Sequence, residues 1–235
     1  MSSIVVKTMI PANVRAIFFD AVGTLIDPDP AAAVVYYQVG RQHGSKYDPD
    51  QIARRFRAAF QQEEEADRAG GWRTSEDRER RRWRNIVAQV LDDVSDPEAC
   101  FAELYEHFGH PRAWRLESEA ATVLQKLARQ GYVLGMASNY DRRLRSVAAD
   151  LPGLSPLQHL VISSDVGWRK PAPKFFAAVC AATGLAAEQI LHLGDDREND
   201  YQGATDAGLQ ALLLDRALQF PGFAGPRLRQ LWELM

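Results

Sequence analysis

The chain has 235 residues, of which 46% are apolar and 25% charged, and a formal net charge of -3. This length suits one large α/β domain or a core domain carrying a smaller insert. The near-balanced charge excludes a general affinity for nucleic acid or anionic membranes, so any ligand must be sought in a local site.

The N-terminal stretch MSSIVVKTMIPANVRAIFFD interrupts its apolar pieces with Lys7, Pro11, Asn13 and Arg15. It fits neither a secretory signal nor the run of about 18 apolar residues that spans a bilayer, so a cytoplasmic protein free of membranes is expected. Residues 14–19, VRAIFF, form a continuous β-branched and aromatic run. They predict a buried strand that ends at Asp20 and a turn at Gly23 and Thr24. From about 28 to 112 no strand-like run occurs, and helical periodicity predicts four helices near 30–43, 49–70, 75–92 and 97–109. They are separated by His43-Gly44-Ser45, Gly70-Gly71 and Ser95-Asp96-Pro97. Beyond the helices, YVLGMAS, HLVISS, ILHLG and ALLL end near Ser138, Ser164, Asp195 and Asp215, which brings the predicted buried strands to five. Between them lie two helical patterns: SEAATVLQKLARQG, with Ser118 as cap and Gly131 as stop, and PAPKFFAAVCAATG, with a proline start and Gly184 as stop. Cys100 and Cys180 fall in helical contexts without CxxC spacing, so packing roles are expected rather than a disulfide or a zinc site.

Strands alternating with helices imply parallel βαβ units and an α/β fold. The core is assigned to residues 1–27 and 113–235, and an all-helical insert to 28–112. An insert after the first strand of a parallel sheet sits over the carboxyl ends of the strands, where such sheets bind ligands, and is placed to act as a lid.

Four short motifs fall at those carboxyl ends. FFDAVGTLID carries Asp20 out of a strand into a glycine turn, where a carboxylate serves as nucleophile, metal ligand or plain turn residue. GMASNY offers the Ser138 hydroxyl and the Asn139 amide for anionic oxygens. In DVGWRKPAPKFF, Lys170 precedes a Pro-x-Pro helix start that pins its backbone. HLGDDREND places Asp195, Asp196 and Asp200 within six residues, a density of carboxylate that repels itself unless a divalent cation shares the site.

In this order and context, FFDAVGT, MASN, GWRKPAP and LGDDREND resemble the four signature motifs of the haloacid dehalogenase (HAD) superfamily, and the match spans most of the chain. The insert resembles the small helical C1-type cap of its first subfamily. SNYDRRL, KPAPKFF and ENDYQGATDAG are similar to its "rhythmically expressed gene two" branch. The resemblance implies a Rossmann-like core of five parallel strands flanked by helices, with an inserted all-helical cap domain. It also implies hydrolysis of a small phosphorylated metabolite or other small anion. Asp20 would form an aspartyl-phosphate, Ser138 would bind the phosphoryl group, and Lys170 would balance charge between phosphate and nucleophile. Asn139 would join them in binding substrate, and Thr24 would brace the loop or touch phosphate. The implied cofactor is Mg²⁺, held by Asp20, the backbone carbonyl of Val22 and Asp195, with Asp200 acting through water.

Phosphatases of the superfamily place a proton-transferring aspartate two residues after the nucleophile, and Val22 occupies that position here. Loss of a positioned general acid costs about 10² to 10⁴ in rate, so a weakened phosphohydrolase, or a metal- and phosphate-binding regulatory protein without turnover, is expected. A metal-independent 2-haloacid dehalogenase is the third possibility, since Asp20 to Thr24 also resembles that enzyme's first motif; the acidic run at 195–200 opposes it. A relative that forms a Schiff base with phosphonoacetaldehyde needs a cap lysine, and the insert offers Lys46 alone. Lys46, in the loop between the first two insert helices, is also a candidate substrate-selecting residue. The run RERRRWR at 78–84 faces the preceding Glu63, Glu64, Glu65 and Asp67, so pairing between helices is expected in place of nucleic-acid binding.

Overall fold

The structure is a computed structural model that describes residues 9–235; the first eight residues, and the part of the N-terminal and core assignments that falls on them, lie outside it. Six strands, at 159–162, 133–138, 16–19, 190–194, 210–214 and 227–228, form one sheet in that spatial order, and all its pairings are parallel. The five strands expected from sequence are β1 (Ala16–Phe19), β4 (Val133–Ser138), β5 (His159–Ile162), β6 (Ile190–Gly194) and β7 (Gln210–Leu214). Their side chains alternate between two apolar layers. Ile17 and Phe19 join Leu134, Met136, Leu191 and Leu193 on one face, while Ala16 and Phe18 join Phe175, Phe176 and Val179 on the other.

The expected count of five strands is extended at the sheet edge by β8 (Arg227–Leu228), whose two residues are too few to carry a pattern. A second departure is the antiparallel ribbon of β2 (Ile26–Pro28) and β3 (Trp114–Leu116), through which the chain leaves and re-enters the core. The flanking helices are α5 (Ala120–Arg129), α6 (Arg143–Ala149), α7 (Ser163–Val166), α8 (Pro173–Thr183) and α9 (Gly203–Asp206). Ser118 does not cap α5 as expected: Glu119 stands at the N-cap, and its carboxylate accepts the Leu231 N–H at 2.9 Å. α8 starts on Pro173 and stops at Gly184, as its sequence indicates.

The helices of the insert are α1 (Ala32–Gln42), α2 (Pro49–Ala69), α3 (Glu76–Val90) and α4 (Pro97–His107). Asp48, Ser75 and Asp96 cap the last three by accepting N–H groups of their first turns. They enclose their own apolar core around Val35, Tyr36, Ile52, Ile86, Phe101 and Leu104. The arginine run on α3 pairs with α2 as its charge pattern predicts. Arg78 reaches Glu63 at 2.8 Å and Asp67 at 2.6 Å, and Arg82 reaches Glu64 at 3.0 Å and also Asp67. Both free cysteines lie on helices, Cys100 on α4 and Cys180 on α8. Among the described residues no helix is long and apolar enough to cross a membrane.

The insert is fastened to the core beside the sheet's carboxyl ends. Thr74 N–H donates to Gly167 at 3.0 Å and Arg169 N–H donates to Trp72 at 2.8 Å. The Arg169 side chain is buried there, hydrogen-bonded to Glu79 and 3.4 Å from Asp67.

Candidate active site

Register brings the motifs together. Phe19 lies level with Met136 of β4 and Leu193 of β6, so the residues following each strand emerge side by side. Asp20 N–H extends the ladder by donating to Leu193 at 2.8 Å, which fixes its backbone, and its side chain is buried with the residue 8% exposed. Lys170, 2% exposed, places its ammonium 2.6 Å from Asp20 Oδ1, 2.5 Å from Asp200 Oδ1 and 3.0 Å from the Ala137 carbonyl. Burial works against the charge on Lys170, but these two carboxylates reverse the effect and raise its pKa.

Asn139 holds that lysine from behind. Its side-chain oxygen accepts the Lys170 N–H at 2.7 Å and its amide donates to the Lys170 carbonyl at 3.0 Å. The amide expected to bind substrate is thus committed to positioning Lys170, although Asn139 still lines the cavity. Ser138, at the end of β4, also lines the cavity, and its hydroxyl has no protein partner among the described residues.

Asp200 sits in the wide helical turn Arg197–Gln202 that follows β6. It accepts from Lys170, from the Asp196 N–H at 3.0 Å and, across 3.0 Å, from His192 Nε2, the tautomer being set by the carboxylate. Burial opposes its charge, yet Lys170 and His192 hold its pKa well below the carboxylate range. Gly194 makes the approach possible, since a Cβ there would collide with the Asp200 side chain. Asp195 is half-buried, and its Oδ1 accepts the Thr24 hydroxyl at 3.0 Å. Burial, reinforced by the charges of Asp20 and Asp200, pushes Asp195 up to about 7. Gly23, at φ +86, closes the loop around it, because a Cβ there would lie 2.5 Å from Asp195 Oδ2.

Asp20, Asp195 and Asp200 each offer a carboxylate oxygen within 4.8 Å of the others. Hard oxygen donors at this spacing fit a divalent cation of the magnesium class, and the charges of Asp20 and Asp200 add to burial in raising Asp195. No N–H of the described residues donates to the Val22 carbonyl, which leaves that oxygen free to join the set.

These residues floor a cavity of about 510 Å³ whose roof comes from Phe56, Arg57, Phe60, Gln61 and Glu64 of α2. Two of the expected substrate contacts do not reach the cavity. Thr24 does not line it: of its two expected roles the contacts favour bracing, since it is buried behind Asp195, where its hydroxyl orients that carboxylate. Lys46 is an exposed loop residue whose N–H donates to Asp93 at 2.7 Å. It precedes the start of α2, whereas the part of α2 that faces the cavity begins at Phe56, about two turns further on.

Three residues that sequence reasoning omits also act here. His192 buttresses Asp200, and its signal was a lone polar residue in the apolar run ILHLG. Arg57 brings a guanidinium to the cavity with no ion-pair partner among the described residues, and nothing in the sequence marked it. Arg216 donates to the Gly23 and Thr24 carbonyls at 2.5 and 3.0 Å, bracing the loop after Asp20 from outside.

Comparison with known proteins gives the family of the chain. The family model for haloacid dehalogenase-like hydrolases matches residues 14–208. The human Haloacid dehalogenase-like hydrolase domain-containing protein 3 is 27% identical over 210 residues, 86% of this chain and 82% of that protein. The Rhythmically expressed gene 2 protein of Drosophila melanogaster is 23% identical over 214 residues, covering 85% and 82%. Among solved structures, the HAD-hydrolase YfnB of Bacillus subtilis bound to magnesium superposes with a TM-score of 0.77 at 20% identity, over 94% of this chain and 96% of that one. From the motifs at the strand ends to this match along most of its length, the chain belongs to the haloacid dehalogenase-like hydrolases.

Proposed function

We propose that the protein is a Mg²⁺-dependent phosphohydrolase acting on a small phosphorylated metabolite, with Asp20 as nucleophile and the four-helix insert as its cap. The observation that carries this is the charge balance of the site: three converging carboxylates, each with an oxygen within 4.8 Å of the others, face one buried ammonium. That surplus of negative charge suits a cation-dependent reaction on a phosphate and opposes capture of a haloacid anion without metal.

Asp20 Oδ attacks phosphorus, and the bond from phosphorus to the leaving oxygen breaks with its electron pair on that oxygen. Lys170, fixed by Asn139, stabilises the nucleophile and then the oxygens of the aspartyl-phosphate. The unpartnered Ser138 hydroxyl donates to a phosphoryl oxygen, and Arg57 reaches the substrate from the roof. Bound Mg²⁺ would supply charge neutralisation between the carboxylates and the phosphoryl group. Water then cleaves the aspartyl-phosphate, releasing phosphate and restoring Asp20. Val22 transfers no proton in either step, so substrates whose leaving oxygen is already weakly basic, such as acyl and aryl phosphates, react best.

A panel of phosphate monoesters and acetyl phosphate, assayed with Mg²⁺, with chelator and with Asp20→Asn, tests the assignment. Turnover should require both the metal and Asp20; activity indifferent to both changes would overturn it. Binding of phosphate and Mg²⁺ without any turnover would instead establish the non-catalytic role that Val22 makes available. Halide release from a 2-haloacid in excess chelator would establish dehalogenation.

A further inference from the structure

Beside the acidic cavity lies a second one of about 320 Å³, walled chiefly by Tyr36, Phe56, Phe60, Trp83, Phe101 and Trp114. The two share Val22, Phe56, Phe60 and Asn139 in their linings, so the aromatic chamber adjoins the cavity over Asp20 at Val22. The residue that replaces the proton donor is also the apolar sill between the two.

The polar groups of this chamber are largely committed elsewhere. Arg143, the cation in its wall, is held by Asp141 at 2.7 and 2.8 Å and by the Tyr105 carbonyl at 2.6 Å, and its guanidinium lies 3.5 Å from the Tyr105 ring centroid. The Tyr140 hydroxyl donates to the Phe108 carbonyl at 3.2 Å, and the Asn139 amide is engaged by Lys170. Tyr36 is different: it is one of the residues that line the chamber, and its hydroxyl has no hydrogen-bond partner among the described residues. A charged or heavily hydroxylated group would be desolvated here without compensation, whereas an aromatic group would meet rings on several sides. For size, a dry apolar cavity of about 150 Å³ takes one benzene, so this chamber has room for roughly two fused rings or one substituted ring.

Building on the phosphohydrolase assignment above, we propose that the substrate is an aryl phosphate whose one- or two-ring aromatic group occupies this chamber, with the Tyr36 hydroxyl pairing with a polar substituent on the ring. The chemistry and the shape agree. When Asp20 attacks, the bond between phosphorus and the aryl oxygen breaks and its electron pair leaves as an aryloxide, which takes its proton from water. An aryloxide is a far weaker base than an alkoxide and departs without the acid that Val22 cannot provide.

The test combines binding and turnover on the intact protein. Isothermal titration of the wild type with 1-naphthol, the leaving group alone, should give saturable binding, and Ala32→Phe, which fills the chamber from the first turn of α1, should weaken it at least tenfold. With Mg²⁺, kcat/KM for 1-naphthyl phosphate should exceed that for phosphoserine or glycerol phosphate by about 100-fold or more. Tyr36→Phe should lower affinity for a dihydroxynaphthalene about tenfold while sparing the unsubstituted ring. Naphthol binding without hydrolysis of any ester would support the chamber's assignment and overturn the phosphohydrolase one. Hydrolysis of phosphoserine or glycerol phosphate as fast as the naphthyl ester, with no naphthol binding by the wild type, would leave phosphohydrolase activity intact and overturn the aromatic substrate class.

Discussion

Lys170 and Asp20 stand 150 positions apart in sequence, and the Lys170 ammonium donates to the Asp20 carboxylate across 2.6 Å. The same ammonium is 2.5 Å from Asp200, so one buried cation serves two buried anions. Lys170→Met removes the charge while keeping much of the volume. Breaking a buried ion pair from one side costs about 3 to 5 kcal/mol, because the remaining charges are left uncompensated. Urea denaturation without metal should therefore show a loss of that order, partly recovered by Mg²⁺, together with loss of phosphohydrolase turnover. A variant as stable as the parent in chelator would mean that the ammonium does not hold these carboxylates in their charged forms.

Asp195 sets a pH dependence whose sign follows from its raised pKa. Its value is about 7 in the folded, metal-free protein against an ordinary value of 3.8. Its favourable contribution to stability is present below the unfolded value and is lost as pH rises through 7, because the folded site then releases a proton it holds more tightly than the unfolded chain does. Mg²⁺ binding needs the ionised form, so metal affinity should climb across pH 6 to 8. The rise in Tm caused by saturating Mg²⁺ should accordingly be larger at pH 8 than at pH 6. Equal rises, measured by calorimetry in matched buffers, would remove Asp195 from the metal site.

The seam between insert and core is ionic. Arg169 and Glu79, both nearly inaccessible, are hydrogen-bonded to each other, and Arg82 joins them through Asp67 and Glu64. Arg169 also immediately precedes Lys170, so the seam and the site share a backbone. Arg169→Met should destabilise by about 3 to 5 kcal/mol by stranding Glu79, and Arg169→Met with Glu79→Leu should recover much of that loss, since an apolar pair needs no compensation. A double variant no better than the single one would place the energy in the Arg169 contacts to Asp67 and Glu64.

What the sequence revealed and what it hid have physical reasons. β1 was legible because a strand buried on both faces reads as an unbroken apolar run, and its end located Asp20. The motif residues at the carboxyl ends of β1, β4 and β6 followed from parallel topology, without any knowledge of side-chain contacts. The face of α2 that roofs the site did not follow. That helix buries Glu63 and Asp67 against arginines of α3, so its apolar period does not report which side faces the core, and the sequence distinguishes neither Arg57 on the cavity face nor the exposed Lys46 from other surface cations. β2, β3 and β8 escaped because two or three residues cannot show alternation. Asn139 and Thr24 were located at the site, but their roles as supports for Lys170 and Asp195 depend on contacts that only the folded structure displays.

Val22 offers the sharpest functional contrast, because it lies where both cavities meet and its side chain is half-buried. Val22→Asp would place a carboxyl group beside the leaving oxygen. That group can protonate an alkoxide on departure and then take a proton from the attacking water, a contribution of about 10² to 10⁴ in rate where geometry is right. The gain should be unequal. Alkyl phosphates such as glycerol phosphate, whose leaving group depends most on protonation, should speed up by about 10-fold to 1000-fold, short of the full effect because the surrounding wall is apolar. Aryl phosphates should gain little in kcat and lose affinity, since a carboxylate at the sill desolvates poorly against a ring. Steady-state kinetics on the two ester classes, with circular dichroism to confirm folding, gives the ratio directly. A uniform change across both would show that position 22 acts on the shape of the loop and takes no part in proton transfer.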